Sequence, residues 1–301
     1  MSQNRHHLSN APSTAHAHAA GDFIDRHRHD YHQLIYVSSG VFAIRTEQGA
    51  WVACPDRAVW MPAKMWHEHR VYGHSSVHTL GFASGDAPLA VDSPTVLAVD
   101  GLLRELFIAC TEPDLPATEL QRLRAVLNDR LRRAHVRPLT LPTARDPRLA
   151  HACRVVEDDL SRPRTIAWLA RHVGVGERTL TRLFRTEFGT TYPRWRTNTR
   201  VFHAMIQLAE GATVTATARR CGWATTSAFI DTFAQTMGRT PGAYRSTAHR
   251  PATTGPSTRE SAAGSSAADV PSRAVPIRGK GTEAVDHTLP EHDRQSVGIE
   301  R

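Results

Sequence analysis

The sequence Ile166-Ala-Trp-Leu-Ala-Arg-His-Val-Gly174, followed by Arg178-Thr-Leu-Thr-Arg-Leu-Phe184, predicts two short amphipathic helices joined by a tight turn. The glycine can take the positive φ that such a turn needs, and the alanine four residues before it lets the helices cross closely. The same pattern returns about fifty residues later, and its matching positions are Ala218, Gly222, Phe229 and Phe233. One copy would suit any helical bundle, but two copies in register predict a pair of helix-turn-helix units.

A helix that joins the two units is predicted from Pro193 to Glu210, because apolar residues recur there at helical spacing and Gly211 follows. At 1.5 Å per residue, this helix spans about 25 Å. That length can hold two recognition helices about one DNA turn apart, on one side of the duplex.

Positive charge is concentrated in the same part of the chain. From Arg145 to Arg250 the sequence has 17 Arg, no Lys and 8 acidic residues, whereas the remainder has 20 basic and 21 acidic residues. The formal net charge of +8 therefore belongs to the repeated segment. Guanidinium groups bind phosphate and read guanine through two hydrogen bonds, so this surplus indicates double-stranded DNA as the partner.

The second helix of the first unit has two faces. Its apolar stripe consists of Leu180, Leu183, Phe184 and Phe188. Arg178, Thr181, Arg182 and Arg185 then fall on the opposite, exposed face. Early positions of a recognition helix reach base edges, and later arginines more often contact phosphate. We therefore predict that Arg178, Thr181 and Arg182 contact bases and that Arg185 contacts the DNA backbone.

The second unit carries much less charge on the corresponding face. Thr225, Thr226 and Ser227 can offer hydroxyl contacts to DNA, but Asp231 would repel phosphate. We predict that this unit contributes less affinity than the first.

These motifs resemble the AraC/XylS family of bacterial transcription regulators. The residues that carry the resemblance are the two segments quoted first, Gly222-Trp-Ala-Thr-Thr-Ser-Ala-Phe229, and Phe233 through Gly238-Arg-Thr-Pro-Gly-Ala-Tyr244. The resemblance implies sequence-specific promoter binding by two helix-turn-helix units and activation through contact with RNA polymerase. Two positions depart from the family pattern: Thr217 replaces a usually aliphatic residue, and Asp231 stands where some members have Arg.

Ahead of the helical region, short β-branched and aromatic runs predict a small antiparallel barrel or sandwich. The predicted strands are 33–37, 41–46, 51–53, 58–61 and 77–82, with Gly40 and Gly73 among the turn residues between them. Between this region and the repeat, residues 118–134 carry a leucine stripe of Leu120, Leu123, Leu127 and Leu131. The stripe favours a dimer contact, with packing inside the chain as the alternative.

Histidines in the β-rich region resemble the two cupin motifs, in which three histidines and a carboxylate bind a metal inside a β-barrel. The matching residues are His27, His29, Gln33 and His67, with Gln33 in place of the carboxylate. Three interpretations stay open: a divalent metal site, polar contacts to an organic effector, or structural histidines. Tyr36 and Trp60 are further candidates for the effector pocket, with burial in the core as the alternative.

The resulting prediction is an α+β fold: an N-terminal cupin-like antiparallel β-barrel, a helical linker and an all-α C-terminal domain with two helix-turn-helix units. The predicted segments are a disordered N-terminus (1–20), a cupin-like sensor domain (21–92), a helical linker with the dimer contact (93–146), an AraC-type DNA-binding domain (147–249) and a disordered tail (250–301). No apolar run reaches the length of a membrane span, and no secretory signal is apparent. Four widely spaced cysteines indicate reduced thiols, so we expect a cytoplasmic protein.

The predicted function is a ligand-responsive transcription regulator, whose barrel senses a small-molecule effector and whose helical part reads a promoter, with homodimerisation as an option. No cofactor is required in this interpretation, and a divalent metal in the barrel is the one cofactor that the histidine spacing suggests. The alternative is a metal-dependent cupin enzyme, such as a dioxygenase or isomerase, with a nucleic-acid-binding appendage. The missing carboxylate and the lack of an acid, base or nucleophile constellation argue against an enzyme.

Overall fold

The structure is a computed structural model that describes residues 12–136 and 139–248 of the chain. In these residues a β-rich part precedes a helical part, as the α+β prediction requires. The strands are β1 Ser13–His18, β2 Phe23–His27, β3 His32–Thr46, β4 Gly49–Ala53, β5 Arg57–Met61, β6 His67–Phe82, β7 Thr95–Ala98 and β8 Leu141–Pro142. The helices are α1 Gly101–Ala109, α2 Ala117–Arg132, α3 Pro147–Asp158, α4 Ile166–His172, α5 Glu177–Phe188, α6 Tyr192–Ala209, α7 Val214–Arg220, α8 Thr226–Met237 and α9 Pro241–Ala248.

The described strands form one sheet with only antiparallel pairs, and β3 and β6 pair along most of their length at its centre. Alternation along β3 sends its side chains to two different cores. Ile35 and Val37 join an apolar cluster enclosed by the strands, whereas Leu34 and Tyr36 join the cluster shared with α1 and α2. The sheet therefore curls around one core and is covered by helices on its other face.

Gly40 and Gly73 do not separate strands, so the predicted turns at these residues are wrong. Instead, β3 continues through Gly40 with shifts in register between Val37 and Val41. Gly40 has a φ of +78°, and a Cβ added there would lie 2.6 Å from the carbonyl oxygen of His74. The glycine is needed for a bulge inside a long strand, which has the same local signal as a turn.

The prediction that residues 1–20 are disordered is wrong for Ser13–His18, which form β1 and pair with β6 from Leu80 to Ser75. Backbone hydrogen bonds to β6 hold this strand, and its own polar composition gives little sign of it. Residues 1–11 and the predicted disordered tail from 250 onward lie outside the described residues.

The predicted helical linker of 93–146 belongs instead to the sensor domain. Thr95–Ala98 is a strand that pairs with β5, and α1 and α2 pack on the sheet. Leu127 and Leu131 of the leucine stripe are fully buried against Leu34, Tyr36 and other core residues of the same chain. The assignment of this stripe to a dimer contact is therefore wrong, because its last two leucines are buried within the chain and Leu120 and Leu123 pack against the same cluster.

Both predicted helix-turn-helix units are present, as α4 with α5 and as α7 with α8. Gly174 and Gly222 turn between the paired helices with φ of +72° and +78°. The Thr165 hydroxyl caps α4 by accepting a hydrogen bond from the Trp168 N–H, which extends the first unit one residue upstream of the quoted motif. α6 joins the units, and its bounds lie within one residue of the predicted Pro193 to Glu210.

The sheet touches the helical part at the turn between β4 and β5. Arg239 Nη2 donates a hydrogen bond to Asp56 Oδ1 at 3.1 Å, and Arg57 Nη2 donates to the Thr236 carbonyl oxygen at 3.3 Å. The Arg239 guanidinium also lies over the Tyr244 ring, 4.6 Å from its centroid. These contacts attach the C-terminal end of α8 to the sheet.

Candidate DNA-binding surface and sensor pocket

α5 presents all four residues of its predicted DNA-contacting face. The helix buries Leu180, Leu183 and Phe184 against α3, α4 and α6. Because these three residues occupy one side, Arg178, Arg182 and Arg185 are exposed on the other, and Thr181 is half-buried between them. The four line a common surface depression with Glu177 and Thr186. We call Arg178, Thr181, Arg182 and Arg185 the α5 face.

The arginines of the α5 face are available for a ligand. Among the described residues, none of the three guanidinium groups has a side-chain hydrogen bond or an ion pair. Two arginines of α6 are engaged instead: Arg196 Nη2 donates to the Arg162 carbonyl oxygen at 2.8 Å, and Arg200 Nε donates to the Cys221 carbonyl oxygen at 2.5 Å. These three guanidinium groups are therefore free to bind phosphate, beside the exposed Glu177 carboxylate of the same depression.

α6 fixes the spacing of the two units through these engaged arginines. Arg196 holds the segment that leads into α4, and Arg200 holds the end of α7 while its guanidinium lies 3.9 Å from the centroid of the Trp223 ring. The helix has 18 residues, so the units are joined by about 27 Å of rigid backbone. This length suits successive major grooves on one side of a duplex.

α8 presents a nearly uncharged face. The Thr225 hydroxyl caps the helix by accepting from the Ala228 N–H at 3.1 Å, which leaves its O–H donor and one lone pair for another contact. Thr226 is half-buried and Ser227 is exposed at the first turn, and Asp231 is exposed one turn further on. The sequence analysis assigned Thr225 to a DNA contact and did not identify its role as the N-cap of α8.

The sheet brings together three of the predicted pocket residues, His27, His29 and His67. His27 and His67 are cross-strand partners on β2 and β6, and their ring centroids lie 4.4 Å apart. The His29 ring centroid lies 4.9 Å from that of His27 and 5.4 Å from that of His67. One ring nitrogen of each residue lies within 4.8 Å of the others. We call these three residues the histidine cluster.

Hydrogen bonds fix the orientation of two of these rings. Nδ1 of His27 lies 2.7 Å from the Asp25 carbonyl oxygen, and Nδ1 of His67 lies 2.9 Å from the Met65 carbonyl oxygen. Burial, together with repulsion from the nearby His27, lowers the pKa of both the His29 and the His67 imidazole to about 4. At neutral pH these two rings are uncharged.

Tyr36 and Trp60 do not line a pocket with the histidine cluster. Both side chains are fully buried in the core shared with α1 and α2, where the Tyr36 ring stacks on Phe107 and its hydroxyl donates to the Pro55 carbonyl oxygen. The core alternative is therefore correct for these two residues. Gln33 has a buried Oε1 without a hydrogen-bond partner among the described residues, and it shares its strand face with Ile35 of the enclosed core.

His69 is a further pocket residue that the sequence prediction missed. It follows His67 by two residues on β6, is buried, and its ring centroid lies 5.0 Å from that of His67 and 5.2 Å from that of His27. Phe42 stacks on its other side at 4.6 Å. Its spacing from His67 repeats that of His27 and His29, which was the signal available in the sequence.

Comparisons with known proteins match the two parts of the fold. A family model described as a helix-turn-helix domain matches residues 169–247, and one described as an AraC-like ligand-binding domain matches residues 11–137. This chain belongs to the AraC family. It is a DNA-binding transcription regulator with a ligand-binding domain, which confirms the predicted class of function.

An Escherichia coli K12 relative, the HTH-type transcriptional regulator NimR, is 29% identical over 226 residues, covering 72% of this chain and 81% of its own length. An AraC-type regulator structure from Chromobacterium violaceum is 25% identical over 35% of this chain and 96% of its own, with a TM-score of 0.34. The structure of ToxT from Vibrio cholerae O395 is 10% identical over 79% of this chain and 98% of its own, with a TM-score of 0.37. In the described part of this AraC-family protein, every helix is too short or too polar to cross a bilayer.

Proposed function

We propose that this AraC-family regulator reads its promoter mainly through the α5 face, with α8 making weaker contacts through Thr225, Thr226 and Ser227. The observation that carries this proposal is the contrast between α5, which exposes three guanidinium groups beside Glu177, and α8, which has no basic residue and exposes the Asp231 carboxylate. Arg178, Thr181 and Arg182 lie in the first half of α5 and contact base edges, and Arg185 one turn later contacts phosphate. The α5 face supplies both affinity and sequence preference.

The test compares variants of Arg182 on a cognate fragment and on scrambled duplex. The fragment is first selected from the source chromosome with the purified protein. Arg182→Ala should weaken binding to the fragment by about 1–3 kcal/mol and relax preference at one base pair. Arg182→Lys keeps the charge but loses the two-point fork, so it should retain affinity for scrambled duplex and lose selectivity.

Arg185→Ala serves as the matched comparison on the same helix. It should weaken binding to both duplexes equally and reduce the salt dependence of binding by about one unit of slope. An Arg182→Ala variant that behaves in this way would make Arg182 a phosphate contact and overturn its assignment to a base. Loss of all selectivity from α8 variants, with none from α5 variants, would overturn the division between the units.

The remaining parts of the proposed function follow from transcription regulation. A small-molecule effector binds within the AraC-like ligand-binding domain and shifts the balance between arrangements of the ligand-binding and DNA-binding parts.

The regulator acts in the cytoplasm on double-stranded promoter DNA and contacts RNA polymerase. A homodimer is one assembly that it can form. All cysteines of the described residues are free, buried thiols, which suits a reducing compartment. We infer no enzymatic activity, because the helix-turn-helix family model and the NimR relative both favour a regulator.

A further inference from the structure

Two ring nitrogens of the histidine cluster are buried without a hydrogen bond to any described residue, which is unusual for histidines with only a structural role. Nε2 of His29 and Nε2 of His67 are both buried without a hydrogen-bond partner among the described residues. Most buried polar atoms in folded proteins are hydrogen-bonded, so two such nitrogens in adjacent rings need an explanation. The Oε1 atom of Gln33 and Nδ1 of His69 are unpartnered in the same way. The unpartnered nitrogens of His29, His67 and His69 thus belong to neighbouring rings.

The tautomers of His27 and His67 leave Nε2 of each ring available as a metal ligand. A carbonyl oxygen can only accept a hydrogen bond, so Nδ1 of His27 and Nδ1 of His67 carry the protons that point to the Asp25 and Met65 carbonyl oxygens. In a neutral ring the other nitrogen, Nε2, then has a free lone pair. Metal-binding histidines have this arrangement, in which a backbone carbonyl orients the ring from behind.

A metal is also what the cupin resemblance implies, and the residues present fit one class of ion. Three imidazoles are donors for divalent transition metals, whereas calcium and magnesium prefer oxygen ligands. Nitrogens bound at about 2.0–2.1 Å in a tetrahedral site lie about 3.3 Å from one another. The ring nitrogens of the cluster lie within 4.8 Å, so small rotations of the side chains bring them to that spacing.

We propose that the sensor domain binds one divalent transition-metal ion through His27, His29 and His67. This inference rests on the proposed function in one respect, namely that the N-terminal domain binds a regulatory ligand. His27 and His29 are half-buried, so the ion can enter from solvent, and His67 forms the buried wall of the site. Three neutral ligands leave an open position and the full charge of the ion, with which a water or a polar effector group can interact.

The experiment uses the full-length chain, stripped with a chelator and then titrated with Co(II) and Zn(II). Metal content after desalting is measured by mass spectrometry, and Co(II) coordination is followed by its visible absorption. We expect one ion per chain, with the intense absorption of a four-coordinate Co(II) site. Each of the single variants His27→Ala, His29→Ala and His67→Ala should weaken metal binding by at least about tenfold. Loss of a residue that only hydrogen-bonds to a ligand already costs about that much, and loss of the ligand itself should cost more.

Two controls separate the cluster from other histidines. His74→Ala removes an exposed histidine from the same strand as His67 and should bind metal as the unchanged protein does. A double variant His6→Ala with His7→Ala removes the histidine pair near the N-terminus and should also retain the ion. Circular dichroism checks that each variant is folded. The absence of stoichiometric metal, or its loss only in the N-terminal double variant, would overturn the proposal.

DNA binding by the same preparations distinguishes failure of this inference from failure of the proposed function. Selective binding to a promoter fragment by a chain that takes up no metal would refute the proposed metal site and would still support the proposed function. Stoichiometric metal on the cluster in a chain with no preference among DNA sequences would leave the metal site intact and overturn the proposed reading of DNA.

Discussion

Replacing Gly222 by alanine should destabilise the protein more than replacing Gly174, although the two glycines turn the chain at the same place in their units. Their φ angles are similar, +78° and +72°, so each alanine has to adopt the left-handed region. That conformation costs about 1–2 kcal/mol for a residue with a Cβ. Gly→Ala also restricts the unfolded chain, which offsets about 0.4–1 kcal/mol in both variants. These two contributions cancel in the comparison.

The surroundings of the two glycines make the difference. A Cβ on Gly174 would meet no atom within 4 Å, whereas a Cβ on Gly222 would lie 2.2 Å from the Leu160 carbonyl oxygen and 3.0 Å from the Ser161 Cα. The segment after α3 would have to move by about 1 Å to relieve this contact, against the Arg196 hydrogen bond that holds it. Overpacking of this kind costs about 1–3 kcal/mol, which is the excess that we expect for Gly222→Ala.

Urea unfolding followed by circular dichroism measures both variants beside the unchanged protein, and the free energies come from linear extrapolation. The same excess should appear as a lower Tm, by about 2–4 °C for each kcal/mol in a chain of this size. Equal losses for the two variants, or a larger loss for Gly174→Ala, would refute the argument that the close approach of Leu160 requires glycine at 222. Failure of Gly222→Ala to fold, beside a folded Gly174→Ala, agrees with it.

Two further predictions concern Thr217 and the contact between the two parts of the fold. Thr217→Val should raise the free energy of unfolding by about 1 kcal/mol, because the Thr217 hydroxyl is fully buried without a partner among the described residues; a destabilised variant in the urea assay would contradict this. A double-mutant cycle with Asp56→Ala and Arg239→Ala should give a coupling of about 1 kcal/mol, since their hydrogen bond at 3.1 Å is only partly exposed. Additive effects of the two substitutions would show that this contact is not made in solution.

The helix-turn-helix units could be predicted from the sequence because every feature that defines them is local. Gly174 and Gly222 mark the turns, Thr165 caps α4, and the apolar spacing of α5 separates the buried Leu180 from the exposed arginines. The sheet could be predicted only in outline, because pairing between distant strands has no local signal. β1 is held by β6 rather than by its own composition, and the bulge at Gly40 resembles a turn when only its neighbours in sequence are considered.

The candidate pocket was predicted in part for a related reason. The resemblance to the cupin motifs grouped His67 with His27 and His29. Tyr36 was assigned to the same pocket although it lies three residues from Gln33 on one strand. An odd separation on a regular strand puts two side chains on opposite faces, so this assignment could have been rejected from the sequence. The leucine stripe of α2 was predicted as an apolar face, but its packing partner was not. Periodicity identifies an apolar face without identifying what covers it, and here the sheet covers it.

The part of β3 that carries Gln33 is connected to the second helix-turn-helix unit through β5. β5 begins at Arg57, which donates to the carbonyl oxygen of Thr236 on α8, and ends at Met61, which pairs with Gln33 on β3. All five residues of β5 are buried between β3 and β7, so the strand is constrained to shift as one piece. A ligand that moves β3 at Gln33 therefore acts on α8 through β5, and it does so only if it binds one position of that strand more tightly than the other.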